Sequence, residues 1–246
     1  MIPLSDSQHV SRTKPYVNYG LIGLCALVFL FELALGPAGR DRFFVQYGLI
    51  PIFLTQGFDV TSITAGVPPL ASIFTSMFIH ASISHFGFNM LFLWVFGNRI
   101  EERLGHAWYL IFYLGVGVVA SLTQVAVDPA GQVPTIGASG AIAGVLGAYL
   151  LLYPFSRIRT MVILIFISFI QVRAWLLLGF WIILQFFGGL GSLGPSSQSG
   201  GVAYFAHVGG FAAGVVVIGA LKLFLWREPL WPRRRGPDLW WRGRQI

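Results

Sequence analysis

The chain has 246 residues and a formal net charge of +7, with 56% hydrophobic and only 10% charged residues. Soluble domains carry roughly 25% charged residues, so this composition excludes a water-facing globule and points to one polytopic membrane domain. The single cysteine, Cys25, excludes an internal disulfide and sits in an apolar run, as lipid-facing or core filler.

A transmembrane helix needs about 20 mostly apolar residues, and six segments can be placed on that criterion. Residues 1–15 form a polar N-terminal tail closed by Arg12, Lys14 and Pro15, with no pattern of a cleavable signal after it. Span one covers about Tyr16 to Leu35, and its one acid, Glu32, lies near the far end, where a carboxylate reaches the interface. From Gly36 to His80 apolar clusters alternate with Gly, Pro, Asp and Gln. No span is sustained there, which predicts a large first extracytoplasmic loop folded into a lid of short interfacial helices.

Span two runs from about Ser82 to Asn98, span three from His106 to Val127, span four from Gly137 to Tyr153 and span six from Ala203 to Trp226. Met161 to Gly188 is longer than one helix requires, its first part is β-branched, and Arg173 interrupts it. It is therefore split into an interfacial extended piece and a short span five, about Gln171 to Phe187. Gly188 to Gly201, rich in Gly and Ser, is a mobile loop before span six. The expectation is an all-α membrane protein: a six-helix domain over 16–226 between a tail of residues 1–15 and a basic tail of residues 227–246.

Lysines and arginines in short loops set orientation. Arg12, Lys14, Arg99, Arg103, Arg157, Arg159, Lys222, Arg227 and the tail arginines fall on one side, only Arg40 and Arg42 on the other, and Arg173 on neither by this criterion. Both termini are thus expected in the cytoplasm, most naturally across a bacterial inner membrane. The C-terminal tail has six arginines with Trp231, Trp240 and Trp241, which suits anionic lipid rather than nucleic acid.

Three polar residues then share a depth. His85, Ser139 and His207 each lie about one turn inside the outer start of spans two, four and six, roughly 4 to 8 Å below the surface at about 1.5 Å per residue. Polar groups in a membrane face the bundle interior or a wet cavity, so a common pocket is implied. A serine needs a base before it becomes a good nucleophile, and neutral histidine suits that task near neutral pH. Asp128 is the one acid near the outer side of spans three to six, and nothing directs it towards His207, so a two-residue dyad is the better reading. Gly140 and Gly144 on span four, and Gly210 and Gly214 on span six, give small-x-x-x-small faces through which two helices approach closely; Gly137 precedes the serine. The same glycines are also ordinary helix packing. His85 and Asn89, four residues apart, share one helix face. With the Ser139 backbone N–H they would offer donors to an oxyanion, or Asn89 would tie helices together. His80 would anchor the lid or a lipid head group. A histidine-bound metal is the weaker alternative, because neither His-Glu-x-x-His nor a Cys or carboxylate at ligand spacing is present.

The motifs Gly-Ala-Ser139-Gly and Ala-His207-x-Gly-Gly-x-x-x-Gly, with His85-x-x-x-Asn89 upstream, resemble those of the rhomboid family of intramembrane serine proteases. The resemblance covers about residues 16–226 and implies a rhomboid-like six-helix bundle. In it Ser139 attacks, His207 is its base, and His85 and Asn89 stabilise the oxyanion, with no cofactor. Substrates would be transmembrane or membrane-proximal segments. Some members carry, one turn after the serine, an aromatic residue that packs on the imidazole; this chain has Ala143 there, and neither Tyr204 nor Phe205 can be given that role. Glu101, Glu102 and Arg103 resemble a charged inner loop with a structural part. A catalytically silent binder of transmembrane segments is the main alternative, and a transporter is disfavoured for want of an internal repeat.

Overall fold

The structure is a computed structural model and describes residues 1–7, 13–57, 66–163, 166–193 and 202–230. Arg12, residues 194–201 of the Gly/Ser-rich loop, and residues 231–246 of the basic tail with Trp231, Trp240 and Trp241 lie outside the described residues. The chain is mostly helical, but the all-α expectation is corrected by one three-stranded antiparallel sheet in the order β1-β2-β3.

Strand β1, Ile2–Asp6, comes from the stretch expected to be a polar tail and pairs with β2, Arg157–Ile163. Strand β3, Ile167–Arg173, continues the hairpin, with Arg157 opposite Arg173. Met161, Val162 and Ile163, which open the β-branched run, are thus extended, as its composition indicates. The helix that follows begins at Ala174 rather than Gln171.

Among the described residues, four helices are long and apolar enough to cross a membrane: α1, Tyr16–Ala34; α7, His106–Val127; α9, Ala174–Ser192; and α10, Tyr204–Ala220, continued by a π turn to Leu225. A bent pair adds a fifth if counted as one span, with Pro69–Phe78 meeting Ile83–Leu104 at 82°. The first arm contains α4, Pro69–Thr75, and a 3-10 turn; the second contains α5, Ile83–Phe92, a π turn at Leu93–Gly97, and α6, Asn98–Leu104. Span two therefore continues past Asn98 to Leu104. Helix α8, Ser139–Leu152, is only 14 residues, roughly 21 Å at ~1.5 Å per residue, and is buried along nearly all its length. Between α1 and α4 lie α2, Gly36–Tyr47, and α3, Pro51–Thr55, each with proline in its first turn, where the missing N–H is harmless.

The apolar pattern sets the layers. Helix α1 buries Asn18, Leu21, Cys25, Phe29 and Glu32, a stripe of three- and four-residue steps, and leaves Leu27 and Leu30 exposed. Cys25 is core filler, fully buried. Helix α8 is the centre, wrapped by α7 and α10. Its contact with α10 is backbone on backbone: a Cβ at Gly210 would strike the carbonyl of Gly140, and one at Gly214 the carbonyl of Gly144. Only the missing side chains let the two helices come this close, which is what the four-residue glycine spacing predicts.

The N-terminus of α1 is capped from another helix. The Glu101 carboxylate accepts from the backbone N–H groups of Val17 at 3.0 Å and Asn18 at 2.7 Å, orphan donors of the first turn, where negative charge is also favoured by the helix dipole. Near it, Arg99 donates to Asp6 at 2.5 Å and to Ser156 at 2.6 Å and stacks over Tyr153, with its guanidinium carbon 3.7 Å from the ring centroid. This ties the sheet to the bundle.

Candidate active site

Ser139 is the first residue of α8, not a turn inside it as its depth was read, and the loop before it is held from the α2–α4 region. Leu49 and Thr135 exchange backbone hydrogen bonds at 3.1 and 2.7 Å, and the Gly137 N–H donates to Ser76 O at 2.8 Å. Gly137 has φ +123°, a backbone region that side chains disfavour. A Cβ there would also lie 2.7 Å from His85 Nε2 and Cε1, so this glycine seats the His85 ring beside the start of α8.

His85 stands in the first turn of α5, whose cap is Ser82: the Ser82 hydroxyl accepts from the His85 backbone N–H at 3.1 Å. The Ala81 N–H donates to His85 Nδ1 at 3.4 Å, which leaves Nε2 as the ring's donor on the side of Gly137. Asn89, one turn on, is buried, and its Nδ2 has no hydrogen-bond partner among the described residues. Both residues line one cavity of about 450 Å³ with Ser139 and His207. His85, Ser139 and His207, read from the sequence as facing one pocket, thus line a single cavity.

His207, in the first turn of α10, is buried at 9% exposure, and its Nε2 lies 2.7 Å from Ser139 Oγ. Its Nδ1 lies 2.7 Å from Gln185 Oε1 on α9, and the Trp181 ring stands beside the imidazole with centroids 5.7 Å apart. Neither residue was singled out from the sequence. The signal was there: Gln185 is the one amide in an otherwise apolar helix segment, four residues after a tryptophan, and hence on the same face. Ala143 offers the imidazole no aromatic ring from α8, and Trp181 supplies one from α9. Tyr204 and Phe205 do something else, since their rings fill the space beside Gly188 and Gly189 and so fasten the end of α9 to α10. Asp128 is not brought to His207; it closes α7, and its carbonyl accepts from Gly131 N–H at 3.2 Å.

Two readings change. Glu32 does not reach an interface but is buried, accepting from the His80 backbone N–H at 3.1 Å. The His80 ring meets no head group: it is buried against Phe29, Phe86 and His85, and neither ring nitrogen has a hydrogen-bond partner among the described residues. Among those residues no three His, Cys, Asp or Glu converge so as to hold a metal ion.

The fold and cavity define an integral membrane protein with a serine and a histidine hydrogen-bonded between closely packed helices. The Rhomboid domain family model matches residues 69–223, and the chain belongs to the rhomboid family. It is similar to Rhomboid protein 1, mitochondrial, of Saccharomyces cerevisiae, 29% identical over 153 residues, which is 59% of this chain and 40% of that protein. Rhomboid protease GluP of Bacillus subtilis is 38% identical over 78 residues, 32% of this chain and 15% of that protein. Presenilin-associated rhomboid-like protein A, mitochondrial, of Danio rerio is 33% identical over 162 residues, 63% of this chain and 39% of that protein. The chain therefore spans two fifths or less of the length of these three relatives. They are named as mitochondrial proteins and a bacterial one, so the expected bacterial inner membrane gains no support from them.

Proposed function

We propose that this protein is an intramembrane serine endopeptidase that cuts transmembrane or membrane-proximal segments of other membrane proteins. The observation that carries the reading is the 2.7 Å hydrogen bond between His207 Nε2 and Ser139 Oγ inside a cavity that also holds His85 and Asn89. Ser139 Oγ attacks the scissile carbonyl while Nε2 takes its proton, and the imidazolium then returns that proton to the leaving amine. His85 Nε2–H, Asn89 Nδ2–H and the Ser139 backbone N–H are the donors assigned to the oxyanion. Water then attacks the acyl-enzyme with His207 again as base.

On this reading the short α8 crosses as well, which makes six spans over residues 16–226. The segments 1–15 and 227–246 and the Lys/Arg-rich side face the cytoplasm or its equivalent. The short helices between residues 36 and 80 then form the outer loop, and the arginine-rich tail meets anionic lipid. Substrates enter laterally and unwind locally, which Gly or Pro near the scissile bond makes easier.

The test is cleavage of a single-span reporter in proteoliposomes. Wild-type protein should cut it, and Ser139→Ala should lose activity by on the order of 10⁴-fold or more with an unchanged Tm. Binding of the reporter by both proteins with cleavage by neither would establish the alternative, a catalytically silent binder of transmembrane segments.

A further inference from the structure

An imidazole has two nitrogens, and the serine uses one. Nε2 of His207 faces Ser139 Oγ, while Nδ1 is 2.7 Å from Gln185 Oε1. An amide oxygen only accepts, so Nδ1 carries the hydrogen and the neutral ring keeps its lone pair on Nε2, towards the serine hydroxyl. Trp181, one turn earlier on α9, packs beside both this ring and Phe211, with centroids 5.7 and 6.3 Å away, and limits rotation of the imidazole.

We infer that Gln185, on the protease reading above, is a positioning residue that holds His207 in its base-competent tautomer and orientation from a third helix, α9. When the proton leaves Ser139 Oγ for Nε2, the ring becomes a cation and its Nδ1–H bond to the Gln185 oxygen strengthens. No proton passes to Gln185. A neutral amide performs this holding without a second charge in the membrane-spanning region, where ionised carboxylates are costly. Helix α9 is thereby coupled to the chemistry, since its lateral movement would take the acceptor away from Nδ1.

The experiment compares wild type, Gln185→Leu and Gln185→Glu for Tm, for kcat and KM on a single-span reporter, and for the rate of Ser139 labelling by a fluorophosphonate. Gln185→Leu should keep Tm and KM and lose about 10- to 100-fold in kcat and in labelling, part of the roughly 10²- to 10⁴-fold that a positioned base supplies. Gln185→Glu keeps an acceptor oxygen and should recover most of that loss. Wild-type rates in Gln185→Leu, or equal losses in both variants at unchanged Tm, overturn the assignment while the Ser139–His207 pair stands. Should Gln185→Leu not fold, Gln185→Ala replaces it against Gln185→Glu under the same criterion. A wild-type chain that neither labels at Ser139 nor cleaves the reporter overturns the protease reading itself, which separates the two failures.

Discussion

The two ends of the helix bundle bury polar side chains in opposite ways. At the end that carries Glu101, Asn18 and Glu101 are fully paired. Asn18 donates to Leu93 O at 3.0 Å and Asn98 Oδ1 at 2.7 Å and accepts from the Tyr109 hydroxyl at 2.7 Å, while Glu101 takes two backbone N–H groups and lies 2.5 Å from His106 Nδ1. At the Ser139 end, Asn89 Nδ2 and both ring nitrogens of His80 are buried with no hydrogen-bond partner among the described residues. A buried polar group left unpaired costs about 1–3 kcal/mol. On the protease reading proposed above, the paired end serves rigidity, and Asn89, which lines the Ser139 cavity, keeps a donor for the reacting group.

That contrast breaks if the two ends respond alike to mutation. Glu101→Ala should cost about 1–3 kcal/mol of stability, because it strands the buried Val17 and Asn18 N–H donors, yet leave turnover per folded molecule within a small factor. A chemical-denaturation series with activity normalised to folded protein checks both halves. Asn89→Ala should do the reverse, lowering kcat by about 100- to 1,000-fold with KM and Tm nearly constant. If instead Tm fell and kcat held, Asn89 would belong with Asn18 as a helix tie.

Gly214→Ala sharpens the comparison because it acts on the seam between the ends. The added methyl meets the Gly144 carbonyl, so α8 and α10 must part. Overpacking of this kind costs about 1–3 kcal/mol, and here it should lower Tm and slow fluorophosphonate labelling of Ser139 together. The smallest effect belongs to Arg103→Ala. Its ion pair with Glu228, 2.6 Å long, has both side chains a third or more exposed, and such pairs contribute at most about 1 kcal/mol. A Tm within a degree or two of wild type is expected.

Much of the site was legible because its chemistry is local. Ser139 and His207 stand in small-residue helix starts, and the four-residue glycine spacing that lets α8 meet α10 is written directly in the chain. A short helix with bare glycine faces can reach Ser to His hydrogen-bond distance only by backbone contact. His85 and Asn89 were readable for the same reason, since four residues place two side chains on one face. The β-branched run from Met161 likewise announced an extended segment, although the strand itself begins earlier, at Arg157.

The partners that lie far off in sequence were not legible. Nothing in Gln185 itself says that it meets His207, 22 positions away; that depends on how α9 packs against α10, where the rings of Tyr204 and Phe205 lie against Gly188 and Gly189. Pairing of β1 with β2 joins the first residues of the chain to residues near 160, and composition carries no trace of such a pairing because a five-residue strand is specified by its neighbour as much as by itself. Glu32 and Glu101 show the same limit. Each looks in the sequence like a charge in need of water, and each finds backbone N–H donors on another element instead. By itself the sequence determined which segments are apolar enough to leave water and which residues are candidates for chemistry, because hydropathy and small-residue spacing act over one or two helical turns. Tertiary structure alone decided which buried polar groups satisfy one another, because that depends on helix crossings that bring together atoms tens of residues apart.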